Sequence, residues 1–228
     1  LVAPTQKPVV LTGGVTYLIP YICTAQDKSF AGSGIINNYR NRDDVFMRGY
    51  KERIRFLTGD ASAWTHRRIC FTLKGNAIIN STTATSPLFL EAAPNGWVRS
   101  ATQANGTSLG TSITAELFKG QPNVDWTNFF TAKVDTNRVT LMFDKTWHYR
   151  SGNDQQHIHD RKLWHPMNKN FYYRDDESGN SSVEGAVHVG GRHGMGDYYI
   201  IDFIESVNPL TESVAQLQYE GTLYWHER

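Results

Sequence analysis

The groups in this sequence with the most evident chemistry are cations set among flat rings. Arg40, Arg42, Arg48, Lys51, Arg53, Arg55, Arg67 and Arg68 gather in fewer than thirty residues, a stretch that also holds Tyr39, Tyr50 and Trp64. Between Arg138 and Asp176, Lys145, Arg150, Arg161, Lys162 and Lys169 stand beside Trp147, Tyr149, Trp164, Phe171 and Tyr172. Ammonium and guanidinium groups neutralise phosphates and rings stack on bases, so the mixture suits a single-stranded nucleic acid. It also suits an ordinary outer sheet face, and Asp43, Asp44, Glu52 and Asp60 dilute the first cluster.

The other constellations are weaker. His157 and His159 stand two apart, as paired histidines do in cupins, the metal-binding jelly rolls. Asp160, Arg161 and Lys162 then follow where a glutamate ligand is expected, and the spacing of His148 and His165 demands no metal. These histidines read as part of a polar turn. The Gly-rich run from Val189 to Asp197 lacks a Gly-Lys-Ser/Thr ending and precedes a strand, so it reads as a loop rather than a phosphate cradle. Asp43-Asp44 and Asp175-Asp176-Glu177 read as solvated loop ends, or as weak Ca²⁺ or Mg²⁺ sites at a subunit contact. Neither a Ser-His-Asp nor a Cys-His context stands out. The expectation is no catalytic residue, no metal site and no cofactor.

The elements that must position these residues are strands. Val45 to Leu57 alternates, with Phe46, Tyr50, Ile54 and Phe56 assigned to one face and Lys51, Arg53 and Arg55 to the other. Trp64 to Lys74 places Ile69, Phe71 and Leu73 on one side and His66, Arg68 and Lys74 on the other. Strands are also expected at Val15 to Ala25, with Pro20 marking a bulge or an edge, at Ile113 to Lys119, at Asp197 to Val207 and at Ser213 to Glu227. Two more span Arg138 to Asp176, each burying one aromatic face. Leu1 to Pro8 reads as an irregular arm, and Ser178 to Gly196 as a Gly-rich connection. Asn76 to Gly110 reads as a long excursion, and its Asn95 to Gly110 part is expected on the outer surface or at a symmetry contact. Asn123 or Asp125 could cap a short helix carrying Trp126, Phe129 and Phe130. About eight strands without a βαβ rhythm predict an all-β sandwich or jelly roll, one domain over residues 1–228.

Lys and Arg number 23 against 22 Asp and Glu, a net charge of +1, so a polyanion partner must be met by local positive charge or by charge outside this chain. Cys23 and Cys70 allow at most one bridge and read as two reduced, buried thiols of a protein made inside a cell. The sequence has no apolar run of bilayer length and no signal peptide, so no membrane partner is expected. It opens at Leu1 rather than Met, which leads us to expect a removed leading segment.

Long stretches of the chain resemble one family. FMRGYKERIRF, WTHRRICF, TLMFDKTWHYRSGN, RKLWHPMNKNFYYRDDESG and LQYEGTLYWHE are similar to the capsid protein of genomoviruses, small viruses with circular single-stranded DNA. RKLWHPMNKNFYY and the final two strands also resemble geminivirus coat proteins, more faintly. The genomovirus likeness runs from about Val45 to the C-terminus and weakens between Asn76 and Gly110.

The resemblance implies an eight-stranded antiparallel jelly roll of viral capsid type, with long loops and one or two short helices. Many copies would self-assemble into an icosahedral T=1 shell around the single-stranded DNA genome. It implies location in the virion, with the host nucleus as the place of assembly, and a basic N-terminal arm. From Leu1 to Phe30 the only basic residues are Lys7 and Lys28, so that arm is expected outside this chain. DNA-binding contacts on the interior face are expected from Arg48, Lys51, Arg53, Arg55, Arg67, Arg68, Arg161, Lys162 and Trp164, with some Arg pairing at subunit interfaces instead. The alternatives are a metal-dependent cupin-like enzyme using His157 and His159, and a carbohydrate-binding β-sandwich using exposed Trp and Tyr.

Overall fold

In the computed structural model, residues 7–28, 40–92, 96–150, 156–179, 181–208 and 212–227 are described. Strand β3 (Asp44–Thr58) shows how the fold is built. Val45 and Met47 point inward, the register shifts at Gly49, and then Tyr50, Glu52, Ile54 and Phe56 point inward. Gly49 has φ +155°, a conformation few side chains tolerate, and this bulge moves Phe46 to the face opposite Tyr50. Lys51, Arg53 and Arg55 lie on the outer face, as their alternation predicts.

The strands follow in the order β1 (Val9–Thr12), β2 (Tyr17–Ile22), β3, β4 (Trp64–Leu73), β5 (Leu90–Ala92), β6 (Gly96–Val98), β7 (Thr140–Tyr149), β8 (His157–Ser178), β9 (Ser181–His188), β10 (Asp197–Ser206) and β11 (Val214–Glu227), with helix α1 (Ser108–Leu117) between β6 and β7. Among the described residues, nine strands make two antiparallel sheets, ordered β1-β11-β3-β8-β9 and β2-β10-β4-β7, and β5 with β6 forms a separate hairpin. The protein is an all-β sandwich. Its pairings are nested: β1 with β11, β2 with β10, β3 with β8, and β4 with β7. Pro20 sits on β2, an edge strand, where its missing N–H costs no central ladder bond. No helix among the described residues is long and apolar enough to cross a membrane.

Two apolar clusters fill the space between the sheets, one around Met47, Phe171 and Ile200, the other around Phe56, Trp64 and Tyr149. A third lies on the far side of the four-stranded sheet, where Ile69, Phe71, Tyr199 and Phe203 pack under Leu109, Ile113 and Leu117 of α1. That sheet is therefore covered on both faces, and all ten residues of β4 are buried. Among the described residues, the five-stranded sheet is covered on one.

Several expectations change. Of the strand expected from Ile113 to Lys119, Ile113 to Leu117 belongs to a helix, because Leu109, Ile113 and Leu117 recur at i, i+4 and Thr107 caps the start by accepting from the Gly110 N–H. The segment after Asn123 folds as turns, yet Trp126 and Phe129 still pack on Phe118. Ser178 to Gly196 includes a strand, β9, and residues 9–12 form β1. The excursion before α1 is tied down. Ala104 N–H donates to Leu18 O at 2.8 Å, Leu18 N–H to Gln103 Oε1 at 2.7 Å, and Asn105 Nδ2 to Thr16 O at 2.9 Å. Residues 93–95 lie outside the described residues. Cys23 and Cys70 are both free and buried.

Candidate nucleic-acid interface

The register of β11, β3 and β8 sets out the uncovered face row by row. Gln218, Arg55 and Asp160 form one row, Glu220, Arg53 and Lys162 the next, and Thr222, Lys51 and Trp164 the next. Side chains directly opposite in neighbouring strands stand close enough to act on a common ligand. Asp160 accepts from Arg53 at 2.7 Å and from Arg55 at 2.9 and 3.2 Å. Those two guanidiniums hold its carboxyl well below the usual carboxylate range. Lys51 and Lys162 have no carboxylate within salt-bridge distance among the described residues, so their charge remains available.

Trp164 is 50% exposed and Tyr224 42%, with ring centroids 5.8 Å apart at 61°. The Trp164 ring lies over Gly49, where an added Cβ would stand 2.6 Å from it. Glycine at the bulge thus does two jobs: it turns β3 and makes room for the ring. Arg48, exposed at the same bulge, donates to Asn168 Oδ1 at 2.7 Å.

The structure divides the sequence candidates. Lys51, Arg53, Arg55, Lys162 and Trp164 meet on this face, with Arg48 at its edge. Arg161 points the other way, into the rim of the sandwich, its guanidinium 5.0 Å from the Trp147 ring centre. Arg67 and Arg68 are on neither surface, which corrects their assignment as polyanion contacts. Arg67 is held by Asp144 at 2.9 and 2.7 Å and by the carbonyls of Phe129 and Ala132. Arg68 is fully buried between the sheets. A strand covered on both faces has no solvent side for its cations.

Arg68 belongs to a polar cluster that the sequence did not reveal. It donates twice to Asp202, each at 2.7 Å, and once to Glu52. Arg99, arriving from the segment after β6, donates to Glu52 and to Asp202, each at 2.6 Å, with its guanidinium 3.5 Å from the Tyr219 ring centre. Tyr219 Oη donates to Asp202 at 3.0 Å. Two buried carboxylates thus face two buried guanidiniums, and opposite charge in direct contact is what makes such burial tolerable. Burial, the largest single influence, would raise both acids; for Glu52 Arg68, His165 and Arg99 together outweigh it, and for Asp202 Arg68 and His66 together do, so both stay ionised. Burial pushes His66 below its ordinary value despite Asp202. Neutral His66 therefore donates from Nε2 to Asp202 at 2.6 Å and accepts at Nδ1 from Tyr149 Oη at 3.3 Å, a tautomer assigned from its partners. The cluster clamps the sheets together.

His157 and His159 have ring centres 4.4 Å apart at the start of β8 rather than in a turn. No group of three or more His, Cys, Asp and Glu side chains among the described residues is placed to hold a metal ion. Asp43, Asp44, Asp175 and Asp176 converge on one depression, but Lys28 at 2.9 Å meets Asp43 and Arg192 at 3.3 Å meets Asp44. Asp44 opens β3, Asp175 and Asp176 lie within β8, and Asp43, Asp44 and Asp176 each meet a cation, so these acids are not loose loop ends. Burial pushes the Cys23 and Cys70 thiols up, which makes them poor nucleophiles. The cation-and-ring face, by contrast, sets exposed rings beside cations that no carboxylate among the described residues pairs. No family model and no curated protein matches the chain.

Proposed function

We propose that the chain is a structural, shell-forming protein whose copies close into an icosahedral T=1 particle around single-stranded DNA. The observation that carries this reading is the uncovered five-stranded face, where Lys51 and Lys162 keep free charge beside the exposed rings of Trp164 and Tyr224. Such a face binds phosphates and bases without reading sequence. The nested pairing supports the architecture the resemblance implies. Taking β1, β2, β3, β4, β7, β8, β10 and β11 as eight core strands, the first pairs with the last and each next with its counterpart, as in a rolled-up jelly roll. On this count β9 is an addition along β8. Copies would associate through repeated contacts that close by rotation, with this face turned to the lumen.

The test is to express the chain, image it by negative stain and extract bound nucleic acid after nuclease treatment. Uniform closed particles containing protected single-stranded DNA are expected. Monomers in every buffer, without nucleic acid, overturn the reading. Exposed Trp164 beside Tyr224 also favours a second reading, a sugar-stacking surface. A glycan array separates the two, because a nucleic-acid face binds no neutral glycan.

A further inference from the structure

A groove opens where the two sheets part along the side of the sandwich. β7 is the edge of the four-stranded sheet, and β8 from His157 to Lys169 pairs only with β3. Between these free edges lies a space of about 270 Å³ lined by Phe143, Lys145, Trp147, Arg161, Lys162 and Leu163, with Asp160 at its margin. The carboxylate of Asp160 is taken up by Arg53 and Arg55 on the outer face. Lys145, Arg161 and Lys162 have no acidic partner among the described residues. Arg161 is held in place by its rings: Nε donates to Tyr149 Oη at 3.3 Å, and the guanidinium lies 5.0 Å from Trp147 and 5.4 Å from Tyr149. Both Nη nitrogens are left without a partner among the described residues.

We infer that this groove is a phosphoryl-binding site distinct from the outer face. The two free Nη nitrogens of Arg161 present a planar fork that fits two oxygens of a phosphate, and the rings hold that fork in place beforehand. Lys145 and Lys162 supply the remaining positive charge from the two walls. Lys162 and Trp164 are two residues apart on β8, roughly 7 Å along the strand, about the reach of one nucleotide. A strand whose base rests on Trp164 can therefore pass its next phosphate over Lys162 into the groove. The inference deepens the proposed nucleic-acid reading and rests on it for that occupant; the chemistry it names is a phosphate oxyanion, from a strand or free in solution.

The experiment titrates the full chain with a 5′-phosphorylated thymidine hexanucleotide and, separately, with inorganic phosphate, over a range of salt. Lys145→Gln changes an exposed position, and Arg161→Lys keeps the charge but removes the fork. Each is expected to weaken hexanucleotide binding several-fold, with Lys145→Gln lowering the slope of log K against log salt by about 0.7, the value for one lost phosphate contact on a single strand. Competition by millimolar phosphate, abolished in both variants, assigns the groove to free phosphate; failure to compete assigns it to the strand, and either supports the site. Hexanucleotide binding unchanged in both groove variants but lost in Lys51→Gln with Trp164→Ala overturns the groove and leaves the face standing. No binding of either probe to the unaltered chain overturns both.

Discussion

Asp202 accepts from His66, Arg68, Arg99 and Tyr219, so one carboxylate organises four side chains drawn from both sheets and a loop. Replacing it by alanine leaves two buried guanidiniums sharing only Glu52. Removing one partner from a buried ion cluster costs about 3–5 kcal/mol, and denaturant unfolding of Asp202→Ala should show a loss of that order. Asp197 is the opposite case. It is fully buried, accepts one bond from His188 N–H at 3.0 Å, and has its second oxygen unpartnered. Burial pushes its carboxyl up to about 7. Between the ordinary value of 3.8 and about 7 the unfolded chain gives up this proton while the folded chain keeps it, so the contribution of Asp197 falls as pH rises through that window. Asp197→Asn should therefore gain stability relative to the parent from pH 4 to pH 7, at up to roughly 1.4 kcal/mol per unit, and level off above. Parallel unfolding curves across that range check it; a constant difference would show that Asp197 is already ionised in the fold.

Elements with a single unambiguous period were legible from sequence. β3, β4, β10 and β11 lie where alternation puts them, since a strand needs only period two and a bounded run. α1 was not, because Ile113, Ala115 and Leu117 alternate as a strand would, and only Leu109 to their N-terminal side reveals the i, i+4 series. β9 was hidden by Gly185, whose missing side chain accommodates Arg174. The charges of β4 and Glu52 were legible as charges but not as buried ones, because parity names a face without saying what covers it. Arg99 carried no sequence signal at all, since it meets its partners only after a long loop has folded back. Thr107 holds the start of α1, accepting from Gly110 N–H and donating to Ala104 O at 2.7 Å. Thr107→Ala should lower stability by about 1 kcal/mol, the usual worth of an N-cap. A tag inserted at 104–105 should unfold the protein, because the loop there is bonded to β2, whereas one at Val124, 76% exposed, should be tolerated.

For the whole molecule, a net charge of +1 is compatible with the proposed polyanion partner because several carboxylates are already paired with guanidiniums. Glu52 and Asp202 are spent on Arg68 and Arg99 inside, Asp144 on Arg67, and Asp160 on Arg53 and Arg55. Reversing Arg53 and Arg55 is thus a poor probe of packaging, since it strands Asp160 among new acids and confounds charge with local repulsion. Lys51 and Lys162 are better. Both are exposed and lack a carboxylate partner among the described residues, so Lys51→Glu with Lys162→Glu should alter folding stability by no more than about 0.5 kcal/mol each. On the proposed reading, packaged DNA per particle should nevertheless fall, and the stability of filled particles should depend less steeply on salt, because fewer phosphate contacts remain to be screened. Particles of the double variant with an unchanged DNA content and salt response would place the polyanion elsewhere, on charge that this face does not hold.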